Sequence, residues 1–417
     1  STFTNWDFDT IWVIPEYTQV ATPQRNLTIW FSRTNDYHNF DEGLKDDDAF
    51  TVALPTTNEI RWMKGLESLI VGTSAGEWKI ASNKLDTPLT PTAFSAKRQT
   101  TYGSAKINAL AVNSSVLFVD FVRRKLREVT FNPQEEKYVA PDMTELAEHV
   151  TASGIVDIAH QKNPDSIVWC VLTDGTLISM VYDRDQDVVA WSTHPTDGTV
   201  LSVCVVPDTD EDYVWITVAR DNGTFIERFM PRVFGTDYAD AFCVDSGITD
   251  TSGGTTISGL THLQGQDVIV LGDGVQQTEE TSGDFTVTAG GQITVPSGLS
   301  KLQIGLPYTW KVQPMRIVLA SGEGTSFGSI TRVSEIVVSF LNTLGATYGS
   351  NASDLYSIDF TDTRWEDEAY ITGLFSGDVV VSMPGGFSVN NPIILSGSGP
   401  YPATIRTLIA RISKTGR

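Results

Sequence analysis

One short phrase recurs four times and constrains the fold more than any other feature of the chain. It reads Glu67-Ser-Leu-Ile-Val-Gly, Ser114-Ser-Val-Leu-Phe-Val, Asp165-Ser-Ile-Val-Trp-Cys and Glu211-Asp-Tyr-Val-Trp-Ile. Aligned on Ser68, Ser115, Ser166 and Asp212, the copies lie 47, 51 and 46 residues apart. Each is followed, after a polar turn, by a second strand-like run: Glu77-Trp-Lys-Ile, Lys125-Leu-Arg-Glu-Val, Thr176-Leu-Ile-Ser-Met-Val and Thr224-Phe-Ile-Glu-Arg-Phe. A period of about 45 residues with several strands in each is the pattern of a β-propeller blade. A further phrase, Leu27-Thr-Ile-Trp-Phe-Ser, precedes the first matched copy and is assigned to another blade.

The expected fold is all-β, in three parts. A β-propeller spans 1–235, its ring open to completion by an upstream segment. The opening Ser1-Thr-Phe-Thr-Asn-Trp has neither an initiator Met nor a signal-peptide layout, so it reads as an internal start. Residues 236–305 alternate short strands with glycine turns such as Gly272-Asp-Gly, which predicts a small sandwich or barrel. Over 306–417 the strands lengthen into a C-terminal β-rich platform. Arg332-Val-Ser-Glu-Ile-Val-Val-Ser-Phe alternates roughly as a sheet with one buried face does. Arg406 and Arg411 in the last strand suggest exposure or a subunit contact. One helix is expected, at 142–150 behind Pro141, with Asp142 as cap and Glu145 completing a capping box.

Charge narrows the partners. The chain carries 51 acidic and 29 basic residues, net −22, so a basic footprint for gripping nucleic acid is missing. No run approaches the ~18 apolar residues of a membrane helix. Cys170, Cys204 and Cys243 are too few and too far apart for a disulfide framework or a zinc site, and read as buried small hydrophobes in a reducing compartment.

Candidate chemistry is sparse. The five histidines, His38, His149, His160, His194 and His262, show no metal-ligand spacing. Gly72-Thr-Ser-Ala-Gly would make Ser74 a nucleophile, but that chemistry needs a strand-to-helix elbow and here a strand-like run follows. Gly322-Glu-Gly-Thr-Ser-Phe-Gly lies between strands with no helix to receive a phosphate. A sialidase-like propeller needs a trio of arginines and repeated aspartate turns, of which Ser32–Phe40 is a loose echo, and Arg123-Arg-Lys reads as a strand turn. Two acidic turns remain: Asp46, Asp47 and Asp48, then Asp208, Asp210, Glu211 and Asp212. Neither has the spacing of a dedicated calcium loop, so solvated turns are expected, with an ion site as the other reading. No catalytic centre, cofactor or metal is expected.

The order of segments resembles the tail nozzle proteins of short-tailed bacteriophages, the tail tubular protein B type. The resemblance rests on Ile29-Trp-Phe-Ser-Arg-Thr-Asn-Asp-Tyr-His-Asn-Phe, Asp46-Asp-Asp-Ala-Phe, Leu69-Ile-Val-Gly-Thr-Ser-Ala-Gly-Glu-Trp and Tyr138-Val-Ala-Pro-Asp-Met-Thr-Glu-Leu. It continues through Asp174-Gly-Thr-Leu, Val188-Val-Ala-Trp-Ser-Thr-His, Phe225-Ile-Glu-Arg-Phe, Leu263-Gln-Gly-Gln-Asp-Val-Ile-Val-Leu-Gly-Asp-Gly and Gly305-Leu-Pro-Tyr. It implies a virion component assembled in the host cytoplasm, a homohexameric ring below an adaptor ring. Fibres or spikes would dock on it, and double-stranded DNA would pass through without specific binding. On that reading the acidic turns face the lumen or a ring contact, where they keep phosphate sliding. The other reading is a carbohydrate-binding or glycan-hydrolysing tail propeller protein.

Overall fold

The computed structural model describes residues 11–12, 27–84, 87–184, 186, 188–234, 237–277, 285–318, 320–321, 324–325, 328–360 and 374–414. Regular structure among them is all β, apart from short 3-10 turns such as Tyr238–Asp240 and Thr261–Leu263. The chain forms two compact units, Ser1–Ala219 with Thr224–Phe229, and Arg220–Gly223 with Met230–Arg417.

In the first unit the strands form antiparallel meanders in strict chain order. Sheet one holds β1 (Ile11–Trp12), β2 (Thr28–Phe31) and β3 (Phe50–Ala53). Sheet two holds β4 (Ile60–Gly65), β5 (Leu69–Thr73), β6 (Gly76–Ala81) and β7 (Ser95–Arg98). Sheet three is β8 (Leu110–Val112), β9 (Ser115–Val119), β10 (Leu126–Asn132) and β11 (Lys137–Val139). Sheet four is β12 (Ile155–Gln161), β13 (Ile167–Leu172), β14 (Leu177–Asp183) and β15 (Val188–His194). Sheet five is β16 (Thr199–Pro207), β17 (Asp212–Arg220) and β18 (Gly223–Arg228).

The recurring phrase is the second strand of sheets two to five, and its apolar density has a packing cause. Side chains alternate across a strand, and here both faces are covered by neighbouring sheets. On β5, Leu69 and Val71 meet Ile29 and Phe31 of sheet one, while Ile70 meets Val116 and Phe118 of sheet three. On β9, Leu117 and Val119 turn the other way, onto Val168 and Cys170 of sheet four. On β13, Trp169 and Val171 meet Val200, Val214 and Ile216 of sheet five. Each such side chain contributes about 1.5–3 kcal/mol on burial, so a strand sandwiched in this way cannot carry polar residues at every second place. On β17 burial alternates strictly, with Val214, Ile216 and Val218 covered and Tyr213, Trp215 and Thr217 only half-covered.

The first strands of successive sheets touch one another, β4 with β8, β8 with β12 and β12 with β16. Three of them carry a bulge near their start, between Ile60 and Trp62, between Ile155 and Asp157, and between Val200 and Ser202. A bulge sharpens local twist, and its recurrence marks the sheets as copies of one unit beyond the repeated phrase.

The helix expected at 142–150 is absent; residues 143–153 form turns. Asp142 does cap, its Oδ1 accepting from Thr144 N at 2.9 Å and Thr144 Oγ1 at 2.6 Å. The next bonds are isolated i to i+3 closures, Ala147 N to Thr144 O and Val150 N to Ala147 O. Trp191 Nε1 takes the Met143 carbonyl at 2.9 Å, and Lys125 Nζ grips Asp142 and Glu148 at 2.7 and 3.3 Å. A nine-residue helix is marginal in water, and these tertiary bonds outcompete it.

In the second unit, β19 (Asp245–Asp250), β20 (Thr256–Ile257), β21 (Asp267–Gly272), β22 (Val275–Gln277), β23 (Phe285–Thr286), β24 (Ile293–Thr294) and β25 (Leu302–Leu306) surround one core. The sheet order is β19-β25-β21-β22 with β23 beside β21, and β20 pairs with β24. A second core lies between two sheets, β26-β33-β30-β31 and β32-β29-β34. These are β26 (Thr309–Val312), β29 (Thr331–Thr343), β30 (Thr347–Asn351), β31 (Asp354–Ser357), β32 (Phe375–Ser382), β33 (Ile394–Ser398) and β34 (Thr404–Lys414). A small hairpin joins β27 (Ala320–Ser321) to β28 (Gly324–Thr325). The stretch beginning at Gly322 falls partly outside the described residues, and the start at Ser1 wholly so.

Candidate functional site

The two acidic turns lie on different sheets and are built differently. Asp46, Asp47 and Asp48 sit in the loop from β2 to β3. Asp47 Oδ2 is 3.0 Å from Arg33 Nη2, and that hydrogen bond holds its carboxyl below the ordinary carboxylate range. Asp48 Oδ2 accepts from Lys45 N at 3.0 Å, closing the loop on itself. Asp46 is exposed.

The second turn joins β16 to β17, closed by Asp208 N donating to Glu211 O at 3.2 Å. Asp208 and Asp210 are exposed and Glu211 is half-buried. Asp212 differs from its neighbours. It is buried, and its Oδ2 accepts from Lys162 N at 2.6 Å and Asn163 N at 3.0 Å in the turn between β12 and β13. Gln161 Nε2 donates to Asp212 O at 3.2 Å, and Trp169 Nε1 donates to Gln161 Oε1 at 3.1 Å. The carboxylate of Asp212 thus ties sheet five to sheet four.

Three carboxylates not singled out in the sequence do the same work. Glu77, on β6, is buried and accepts from Ser104 Oγ at 3.0 Å and from Thr100 Oγ1, in the segment leading to sheet three. Burial raises its pKa above the ordinary value, against the pull of those hydroxyls and of Arg127. Glu128, on β10, is fully buried; its Oε1 accepts from Ser115 Oγ at 2.7 Å and from Arg184 Nε and Nη2 at 3.0 and 2.7 Å. Tyr182 faces this group, and burial together with Glu128 pushes its phenol up to about 12. Asp157, at the bulge of β12, accepts from Val203 N of β16 at 3.0 Å. The available signal was a single acid inside a strand-like run, as in Lys125-Leu-Arg-Glu-Val. That pattern is equally common on solvated faces.

The remaining candidates are also placed. Ser74 lies on the turn from β5 to β6, its N donating to Glu59 O at 2.9 Å, and a strand, not a helix, follows. His160, His194 and His262 have partners in Ser166 Oγ, Ser179 Oγ and Ser246 O at 3.0, 2.7 and 2.8 Å. Arg123 adopts a positive φ of 67° in the turn between β9 and β10. Of the cysteines only Cys170 is buried; Cys204 is exposed and Cys243 intermediate. Cys204 lies opposite Trp215 on sheet five. There Arg228 stacks on Tyr213 and Trp215, at 4.5 and 5.8 Å from the ring centroids. Among the described residues no group of three His, Cys, Asp or Glu side chains is arranged to hold a metal ion, and no helix is long and apolar enough to cross a membrane.

No protein-family model matches the chain, and no curated protein does. Solved structures similar to it include a luciferin-regenerating enzyme, with 10% identity and a TM-score of 0.24 over 49% of this chain and 88% of that one. An exo-β-1,3-galactanase from Phanerochaete chrysosporium aligns over 94% of both chains, with 11% identity and a TM-score of 0.24. At these scores neither likeness carries the argument further.

Proposed function

We propose that the meanders between residues 28 and 228 are blades of a β-propeller, and that the chain is a structural subunit of the distal tail tube of a short-tailed bacteriophage. The observation that carries this reading is the serial stacking in which Glu128, Asp157 and Asp212 each fasten one sheet to the next and Glu77 holds the connector between sheets two and three. Buried carboxylates held by backbone and side-chain donors specify a rigid arrangement, which a load-transmitting ring needs. The ordered resemblance to nozzle proteins supplies the biological setting, with 236–305 as a small sandwich or barrel and 306–417 as the platform.

In this setting the chain assembles as a homohexameric ring, meets an adaptor ring and carries fibres or spikes. A net charge of −22 per chain suits a DNA conduit, because phosphate binds basic surfaces strongly and slides past acidic ones. Screening confines the effect to roughly 8 Å, so it belongs to exposed groups such as Asp46, Asp208 and Asp210 rather than to Asp212. Native mass spectrometry and negative-stain imaging of the purified chain test the reading. Closed rings with a central opening support it; monomers that cleave or tightly bind host polysaccharide would overturn it in favour of a carbohydrate-active propeller.

A further inference from the structure

The two outer strands of the sheet β32-β29-β34 differ in chemistry. β29 pairs antiparallel with β32 on one side and with β34 on the other, so the two outer strands run parallel to each other. Among the described residues each outer strand pairs on one side only. β34 is eleven residues long and carries Arg406, Arg411 and Lys414 with no acid. β32 is eight residues long, carries Asp378, and has none of the Lys, Arg or Pro residues that guard a solvent-exposed edge.

The face of this sheet turned from the core is patterned in rows that cross all three strands. Register places Asp378, Ser339 and Thr407 in one row, Val380, Val337 and Ile409 in the next, and Ser382, Glu335 and Arg411 in the third. The middle row is apolar from edge to edge, with Val380 37% and Ile409 55% exposed. Arg411 is already paired with Glu335 at 2.9 Å. Arg406 lies at the bulge beside Thr407, at the free edge of the row that begins with Asp378.

We infer that copies of this chain join head to tail, β34 of one beside β32 of the next, extending the sheet across the subunit boundary. The parallel direction of the two edges permits this by simple repetition of the subunit. The join continues the apolar row, setting Ile409 beside Val380 of the partner subunit, and brings Arg406 toward Asp378 of the partner subunit. A two-fold pairing of β34 with itself would instead offer Arg406 no carboxylate, since β34 carries no acid. An unlike-edge contact is heterologous and, repeated, closes a ring or grows a filament. The inference rests on the ring assembly proposed above and names its seam.

Two lysine substitutions at exposed positions test it. Val380→Lys blocks one edge and Ile409→Lys the other, and each variant is checked for an unchanged circular dichroism spectrum. By native mass spectrometry, each variant alone is expected to be monomeric, whereas an equimolar mixture forms dimers through the one intact seam. Assembly of Val380→Lys but not Ile409→Lys would mean that β34 pairs with itself and would overturn the head-to-tail arrangement. Rings from both variants would overturn the seam while leaving the ring standing. A wild-type chain that forms no assembly would overturn both. Should a variant misfold, hydrogen exchange on the wild type decides: assembly must protect the amides of 378–382 and 404–413, and no gain of protection there refutes the inference.

Discussion

The carboxylate of Asp212 reaches from sheet five to the backbone of Asn163 in sheet four, accepting its N–H at 3.0 Å while Asn163 O receives the Asp212 N–H at 3.2 Å. This reciprocal pair separates Asp212 from the exposed acids beside it in sequence. Asp212→Ala removes two hydrogen bonds from backbone N–H groups to a buried carboxylate and should cost about 1.5–3 kcal/mol, whereas Asp208→Ala should change stability by less than about 0.5 kcal/mol. Urea denaturation of the two variants measures the difference; equal midpoints would show that Asp212 is not a fastening.

Glu128 and Arg184 make a pair with one member fully buried and the other half-exposed. Arg184→Ala leaves the carboxylate without its cation and should destabilise by about 3 kcal/mol. The double variant Glu128→Leu, Arg184→Ala removes the stranded charge and should recover part of that loss. A double variant less stable than the single one would count against an inter-sheet role for the charge.

Glu77 should make stability fall as pH rises. Its folded pKa lies above the unfolded value near 4.5 because burial disfavours the anion, so the folded state binds more protons in that window. Its contribution is complete below about 4.5 and is lost as pH climbs through the raised value. Glu77→Gln should flatten this part of the stability–pH curve, read from denaturation midpoints between pH 4 and 8.

His194 should act in the opposite sense. Its ring lies 4.8 Å from Trp169, centroid to centroid, and burial depresses its pKa from 6.5 to about 4. The unfolded chain therefore binds the extra proton between those values, so the stability from His194 is present above about 6.5 and lost as pH falls toward 4. His194→Gln should lose less stability than the wild type over that interval. NMR titration of the His194 ring gives an independent reading, and an ordinary midpoint near 6.5 would refute the burial argument.

Gly72 and Ser74 separate packing from chemistry within one five-residue motif. A Cβ at Gly72 would lie 2.1 Å from the Trp62 ring, so Gly72→Ala must displace Trp62 and should cost about 1–3 kcal/mol. Ser74→Ala should leave stability and assembly unchanged. Loss of a hydrolytic activity on Ser74→Ala would overturn the reading of this turn as structural.

The sequence made the meanders legible because their central strands are buried on both faces, and burial writes a continuous apolar run such as Leu69–Val71. It did not reveal the inter-sheet fastenings. Glu128 is a single acid among alternating residues, and only the approach of Arg184, 56 positions away, makes it internal. The turns at 143–153 were missed for a related reason: the local capping signal of Asp142 is real, but Trp191 claims the Met143 carbonyl from far along the chain.

By itself, then, the sequence determined the β class, the repeating unit and the strand positions in the first unit, because these follow from local periodicity and from which faces must leave water. Tertiary structure alone decided which of Asp208, Asp210, Glu211 and Asp212 is a fastening and which remain in solvent, since that depends on the turn brought near by the preceding sheet. It also decided that β29 pairs with β32 and β34, strands distant in sequence, and so which two strands lie outermost in that sheet. A strand's own residues specify its faces; its neighbours come from the packing of the whole.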